Sequence, residues 1–300
     1  NIFTRPASMG NKFTANKAPA SSCRVVIENK LYVDGDIGIG IGGNRAGPLR
    51  WKDCRVTDNV MLDLGLTRPT NRSLAWYLDV YDWDGGLVAR NLFVHQRSTK
   101  QRNSYAMKIA SIREKNAANT HRNYTNHQGP AGHIRNVTIR DNILHGLFSE
   151  APVLQIENAP GGTMQNIVIS GNQLQMPELG TPLVAMNGER LDTVRLEGNT
   201  YYSEADSGAW FRINGEELDF QAWRKRTGEE DAEARRVSYP DDTRNIQSYM
   251  KHLGLEPTHE AFYVEIRKQC RRNWRPEFTA PVINDWMRAG FGMERGKKSR

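Results

Sequence analysis

The side chains best suited to chemistry sit in one stretch of this 300-residue chain and one strand-length segment beyond it. Asp79, Asp82 and Asp84 lie close together among Tyr77, Tyr81 and Trp83, and Lys108 and Arg113 follow about thirty residues later. A carboxylate pair such as Asp79 with Asp82 or Asp84 can act as acid and base in glycoside hydrolysis. Its separation would set the stereochemistry, ~5–5.5 Å for retention and ~6.5–9.5 Å for inversion. Asp82 and Asp84 can instead serve as clustered oxygen ligands for Ca²⁺, or simply form an Asp-Gly turn. Tyr77, Tyr81 and Trp210 offer faces on which sugar rings stack, and Lys108 with Arg113 can hold a carboxylate.

What must position these groups is a repeat. The pattern Asn, any residue, apolar residue occurs at Asn1, Asn29, Asn59, Asn91, Asn142, Asn172 and Asn199, with steps of 28, 30, 32, 51, 30 and 27 residues. A period in this range marks a solenoid. Apolar residues three before the Asn (Val26, Val56, Val88, Ile139, Ile169, Leu196) give a strand-like alternation that ends at the Asn. Asn tolerates left-handed backbone, and stacked Asn amides can bond along a column. A second strand recurs at 36–41, 76–81, 105–110, 153–156, 183–186 and 210–213. The residues between its inward pairs form an outward column of Gly40, Asp79, Lys108, Gln155, Ala185 and Arg212, which puts Asp79 beside Lys108. Tyr77, Tyr81, Glu157, Asn187, Trp210 and Asn214 flank that column on the expected outer face.

On these residues the segment of about 1–215 resembles the right-handed parallel β-helix proteins of the pectate-lyase-like superfamily. Asn214-Gly-Glu, Phe220-Gln-Ala-Trp223 and Thr227-Gly228 look like the closing segment of bacterial β-helix repeat proteins. The resemblance implies an all-β solenoid, a right-handed parallel β-helix with a C-terminal α-helical cap. No catalytic signature of one enzyme family is present, and the fold hosts lyases, hydrolases, epimerases and non-catalytic surface proteins. Lyases of this superfamily take the proton beside a uronate carboxylate with a basic residue or Tyr. They neutralise the carboxylate with Ca²⁺ or cationic side chains, because charge develops there in the transition state. Carried onto this chain, Lys108, Tyr77 or Tyr81 is the base and Arg113 or Arg90 the support. Asp79 lies beside them, and Trp210, Arg212, Gln155, Arg90 and His95 bind substrate. No cofactor is required in this reading.

Three function classes follow: an acidic-glycan lyase, a glycoside hydrolase using Asp79, Asp82 or Asp84, and a non-catalytic glycan- or surface-binding solenoid. A net charge of +7 favours an acidic partner, polysaccharide ahead of nucleic acid. The excess is concentrated in a basic insertion at about 97–133, where the step from Asn91 is long enough to hide an extra rung. Its His121, His127 and His133 fit no ligand spacing. No run is long and apolar enough to span a membrane. Asn1 falls in mid-rung, so the expectation is further rungs upstream, or a cleaved N-terminal portion that stays docked, in a secreted, periplasmic or cell-surface protein. Cys23 and Cys54 fall on adjacent rungs and read as two buried thiols, with a disulfide between them as the alternative. From 216 to 300 the apolar spacing turns helical, through Phe220/Trp223, Ile246/Tyr249/Met250/Leu253 and Phe262/Ile266/Cys270 with Trp274. A solenoid needs such a cap over its last rung.

Overall fold

In a computed structural model the chain forms a parallel β-solenoid. The structure describes residues 1–4, 9–13, 23–42, 51–65, 75–97, 104–111, 132–147, 151–177, 181–205 and 207–293. Three sheets run along it. The ladder sheet stacks Ile2–Thr4, Leu31–Val33, Val60–Leu62, Leu92–Val94, Ile143–His145, Gln173–Met176, Thr200–Ser203 and Glu233–Ala234. The second sheet stacks Met9–Phe13, Ile37–Ile41, Ala75–Tyr81, Ser104–Ser111, Leu154–Asn158, Val184–Gly188, Phe211–Ile213 and, antiparallel at its end, Glu216–Leu218. The third holds Val26–Glu28, Trp51–Thr57, Trp83–Ala89, His133–Arg140, Thr163–Ser170 and Val194–Glu197. The alternation before each Asn belongs to the third sheet, and the short strand after it to the ladder sheet.

The Asn column is a continuous hydrogen-bonded ladder at the corner between these two sheets. The Asn142 amide donates to Asn172 Oδ1 (2.9 Å) and to the Val88 carbonyl of the preceding turn (3.1 Å). Its own Oδ1 accepts from the Asn91 backbone and amide, both at 2.9 Å. The same pattern links Asn59, Asn91, Asn142, Asn172 and Asn199, all fully or almost fully buried. The residue just before each ladder Asn carries the left-handed backbone: Asp58, Arg90, Asp141, Gly171 and Gly198 all have positive φ. The ladder Asn itself is not left-handed, contrary to the sequence expectation.

The register also corrects the copy at Asn29. Leu31 pairs with Val60, so Lys30, not Asn29, stands at the ladder position. Asn29 is the left-handed residue before it (φ 54°), and the Lys30 backbone N–H donates to Asn59 Oδ1 (2.9 Å). Nor does the long step from Asn91 conceal an extra rung, because Asn91 bonds Asn142 directly and Ser104–Ser111 is the second-sheet strand of that same turn. The excess length falls mainly between 111 and 132, outside the described residues.

Inward residues of the three sheets form one core, with Tyr32, Met61, Phe93, Leu144, Leu174 and Tyr201 stacked along the ladder sheet. Each such burial contributes roughly 1.5–3 kcal/mol. The C-terminal helices do two jobs. The helix Phe220–Thr227 closes the last turn, where Trp223 stacks on Phe211 with centroids 4.5 Å apart. The helices Ile246–His252, His259–Arg267 and Ala280–Gly290 run back over the outer face of the ladder sheet. They bury Leu31, Val33, Val60, Leu62, Leu92, Val94 and Ile143 against Tyr249, Phe262, Ile283 and Met287. The last helix was not evident from the sequence. Cys270 and Trp274 lie beyond the third helix rather than on its buried face, and Trp274 is 65% exposed. Cys23, Cys54 and Cys270 are free thiols, and burial pushes that of Cys54 up to about 11.

Glu229 terminates the ladder. Oε1 accepts from the Asn199 backbone (3.1 Å) and amide (2.6 Å), and Oε2 from the Tyr201 hydroxyl (2.9 Å) and the Trp223 indole (3.0 Å). Burial still outweighs these donors and lifts its carboxyl above the ordinary 4.5. A raised folded-state value means full stability below the unfolded value and a loss as pH rises through the folded one. Wild-type stability, followed by chemical denaturation, is therefore expected to fall with pH above about 4.5 relative to Glu229→Gln, which lacks this titration. The variant itself is expected to be about 1–3 kcal/mol less stable, since its amide sets a donor against Trp223. Asn142→Ala strands donors and acceptors on both neighbours and should cost about 3 kcal/mol or more. Asn29→Gly keeps the left-handed backbone and should cost only about 1 kcal/mol.

Candidate functional site

The outward column on the second sheet has the expected register: Gly40 pairs with Asp79, Asp79 with Lys108, Lys108 with Gln155, Gln155 with Ala185 and Ala185 with Arg212. Asp79 and Lys108 are thus strand neighbours. Their side chains, however, make other bonds. Lys108 Nζ reaches Glu157 at 2.6 Å, and Asp79 Oδ1 accepts from the Tyr105 hydroxyl (2.7 Å) and the Tyr81 hydroxyl (3.0 Å). The two phenol oxygens are 3.4 Å apart. Trp76 stacks parallel to Tyr105, with centroids 5.8 Å apart. Burial, and then the charge of Asp79, push both phenols well above the usual tyrosine range. Both therefore stay protonated at neutral pH.

The local sequence explains this convergence. Gly40 has no side chain to crowd Asp79 from the preceding turn. Gly42 (φ 95°) sits where a Cβ would lie 2.0 Å from the Tyr81 carbonyl oxygen, so the turn under Tyr81 closes only with glycine. Tyr105 stands opposite Trp76 in register, which makes the stack and aims the phenol at Asp79.

Other expected site residues are placed differently. Tyr77 is buried in the core, its ring edge-on to Phe93 and its hydroxyl donating to the Val94 carbonyl (3.2 Å). The pairing register skips Tyr77, between Trp76 and Leu78, on both neighbouring strands, so Tyr77 and Leu78 are both buried and the simple alternation fails. Trp210 is also buried, and its indole donates to the Ala205 carbonyl (3.2 Å). Gln155 and Arg212 are half-buried in the outward column. Arg113 lies outside the described residues. Arg90 is at the ladder corner, paired through both Nε and Nη2 with Asp58. Asp84 is on the third sheet, doubly hydrogen-bonded to Arg135 at 2.7 and 2.8 Å, and Asp82 is buried at the corner before it (φ 57°). Among the described residues no three His, Cys, Asp or Glu side chains form a group able to hold a metal ion.

His95 belongs to a separate cleft of about 550 Å³, between the ladder-sheet corner and the returning segment at 236–245. Its Nδ1 lies 3.5 Å from Asp63, and Arg97 bridges Asp34 (3.0 Å) and Asp63 (3.5 Å). Tyr263 of the third helix donates to Asp34 (2.7 Å), so this buried polar cluster anchors the helix to the sheet. His145 lines the same cleft, with Nε2 3.6 Å from Asp242 and ring edges against Tyr239 and Phe291.

No family model, curated protein or solved structure matches this chain. Its chemistry must be argued from the geometry alone. The cleft has two imidazoles backed by carboxylates, but Asp63 and Asp242 also fasten chain segments together. The Asp79 cluster instead joins side chains of adjacent turns on one sheet.

Burial lowers the titration of His145 despite the nearby Asp242, and it likewise lowers that of His259. In an NMR titration both imidazoles are expected to protonate below 6.5, the ordinary histidine value. A depressed folded-state value places their stabilising contribution above the unfolded value, to be lost as the pH falls through the folded one. A midpoint above 6.5 for His145 would mean that the Asp242 charge outweighs burial.

Proposed function

We propose that this solenoid acts on an acidic, uronate-containing glycan by β-elimination, on the outer face of its second sheet. The observation that carries this reading is the convergence of two protonated phenols, Tyr81 and Tyr105, on one oxygen of Asp79. Elimination needs one group to take the proton beside the uronate carboxylate and another to protonate the leaving glycosidic oxygen. One phenol oxygen accepts the carbon-bound proton as it passes its own to Asp79. The other phenol gives its proton to the departing oxygen, while the carbon–oxygen bond breaks and the ring double bond forms. Asp79 then returns its proton to the donor phenol, and the site is restored. Tyr105 thereby takes the place expected of Tyr77.

Lys108 and Arg212, in the Asp79 column, supply positive charge for the uronate carboxylate. Glu157 holds Lys108 Nζ at 2.6 Å over the column, where it serves the uronate carboxylate as a cation. Trp76 and Tyr105 offer a paired aromatic surface for a sugar ring. Hydrolysis has less to stand on, because Asp84 is committed to Arg135 on another sheet. An acidic polysaccharide outside the cell is the partner this chemistry implies.

The test is incubation with a panel of acidic and neutral polysaccharides. Elimination is read from the ultraviolet absorbance of the unsaturated product. Asp79→Asn and Tyr105→Phe are each expected to lower kcat/KM by about 100-fold or more with the fold intact by circular dichroism. New reducing ends without that absorbance would indicate hydrolysis, and binding without cleavage a non-catalytic solenoid.

A further inference from the structure

Between the third helix, His259–Arg267, and the 3-10 turn Pro276–Phe278, the chain makes a tight hairpin closed by a bridge between Cys270 and Asn273. The hairpin is pinned from several sides. Asn273 Nδ2 donates to the Lys268 carbonyl (3.1 Å), and the Arg275 backbone donates to Gln269 (2.9 Å). Arg275 bonds Glu265 (2.7 Å) and Glu277 (2.9 Å), and its guanidinium lies 4.6 Å from the centre of the Phe278 ring. Lys268 is paired with Glu265 (2.7 Å).

On this fixed frame the remaining long side chains point outward and serve no role inside the fold. Trp274 is 65% exposed, the most exposed large apolar residue among those described, and it makes no ring contact. Arg267, Arg271 and Arg272 are exposed and have no carboxylate partner among the described residues. Val264, 48% exposed, is one helical turn before Lys268. An exposed indole on the same short hairpin as three exposed arginines is costly to display and fits a bound partner. Its charge calls for an anion, and the flat indole face calls for a planar or ring-shaped unit stacked on it. The small apolar area, one indole and one valine, does not suit insertion into a lipid surface.

We propose that Arg267, Arg271, Arg272 and Trp274 form a docking site for an acidic polysaccharide strand, apart from the Asp79 cluster. It takes its polymer class from the glycan reading above. On long chains this site holds the polymer while a distant segment is processed on the second sheet. On short oligosaccharides it is silent.

The experiment measures binding of polygalacturonate to the full chain by calorimetry over a range of salt, with dextran, anionic phospholipid vesicles and a DNA oligonucleotide as other arms. Trp274→Ala is expected to weaken polygalacturonate binding about tenfold and leave the salt dependence unchanged. The double variant Arg271→Ala/Arg272→Ala should weaken binding and flatten the salt dependence. Neither should alter turnover of short oligosaccharides. Unchanged polygalacturonate binding in both variants overturns the proposal, as does patch-dependent binding that favours vesicles or DNA. The two readings fail separately. Loss of binding in these variants with no elimination in the wild type keeps the docking site and removes the enzyme, whereas elimination with unchanged binding does the reverse.

Discussion

The asparagine ladder is the interaction on which the rest depends. Each ladder amide spends all of its hydrogen-bonding capacity on its own corner, down to the carbonyl of the turn before and up to the oxygen of the turn after. A buried amide left short of partners costs on the order of 1–3 kcal/mol, so every turn is held in register by its two neighbours. The register then fixes which side chains meet on the second sheet, one turn apart. Asp79, Lys108 and Gln155 share a column because Asn59, Asn91 and Asn142 share another.

That coupling explains how much of the molecule was legible in the sequence. Columns follow from spacing, so the fold and the Asp79–Lys108 adjacency could both be read from apolar periodicity. Bonds between columns do not follow from spacing. A long Lys108 side chain passes over its neighbour to reach Glu157, and two phenols from different turns settle on Asp79. Tyr105 was visible only as the start of a strand. The signal that would have found it is its register partner Trp76, since two aromatic residues opposite each other in a parallel pair tend to stack.

Errors arose where strict alternation breaks. Tyr77 turns inward where the pairing register skips a residue in mid-strand, so two consecutive residues face the core. Asn29 stands one residue ahead of the ladder position, and a left-handed Asn and a ladder Asn look alike in sequence. The cap shows the same limit. Helical spacing revealed its first three helices, but not that three of the four helices would lie along the ladder sheet instead of over its end. Seven outward apolar residues of that sheet, from Leu31 to Ile143, required such a cover, and they were masked in sequence by their proximity to the inward set.

The ladder has a polarity. Every side-chain amide gives forward and receives from behind, so its two ends are chemically unlike. At the start a single backbone N–H, that of Lys30, suffices to satisfy Asn59, and almost any residue can supply it. At the finish Asn199 needs an accepting oxygen, and Glu229 supplies it, held there by Tyr201 and Trp223. Both ends are built, for at the start Asn284 of the last helix donates to Asn29 Oδ1 (3.0 Å) and to the Lys30 carbonyl (3.1 Å). A solenoid of this design can therefore change its number of turns only where the returning helices still reach the first corner. Its length is tied to the reach of the helices that run back along it.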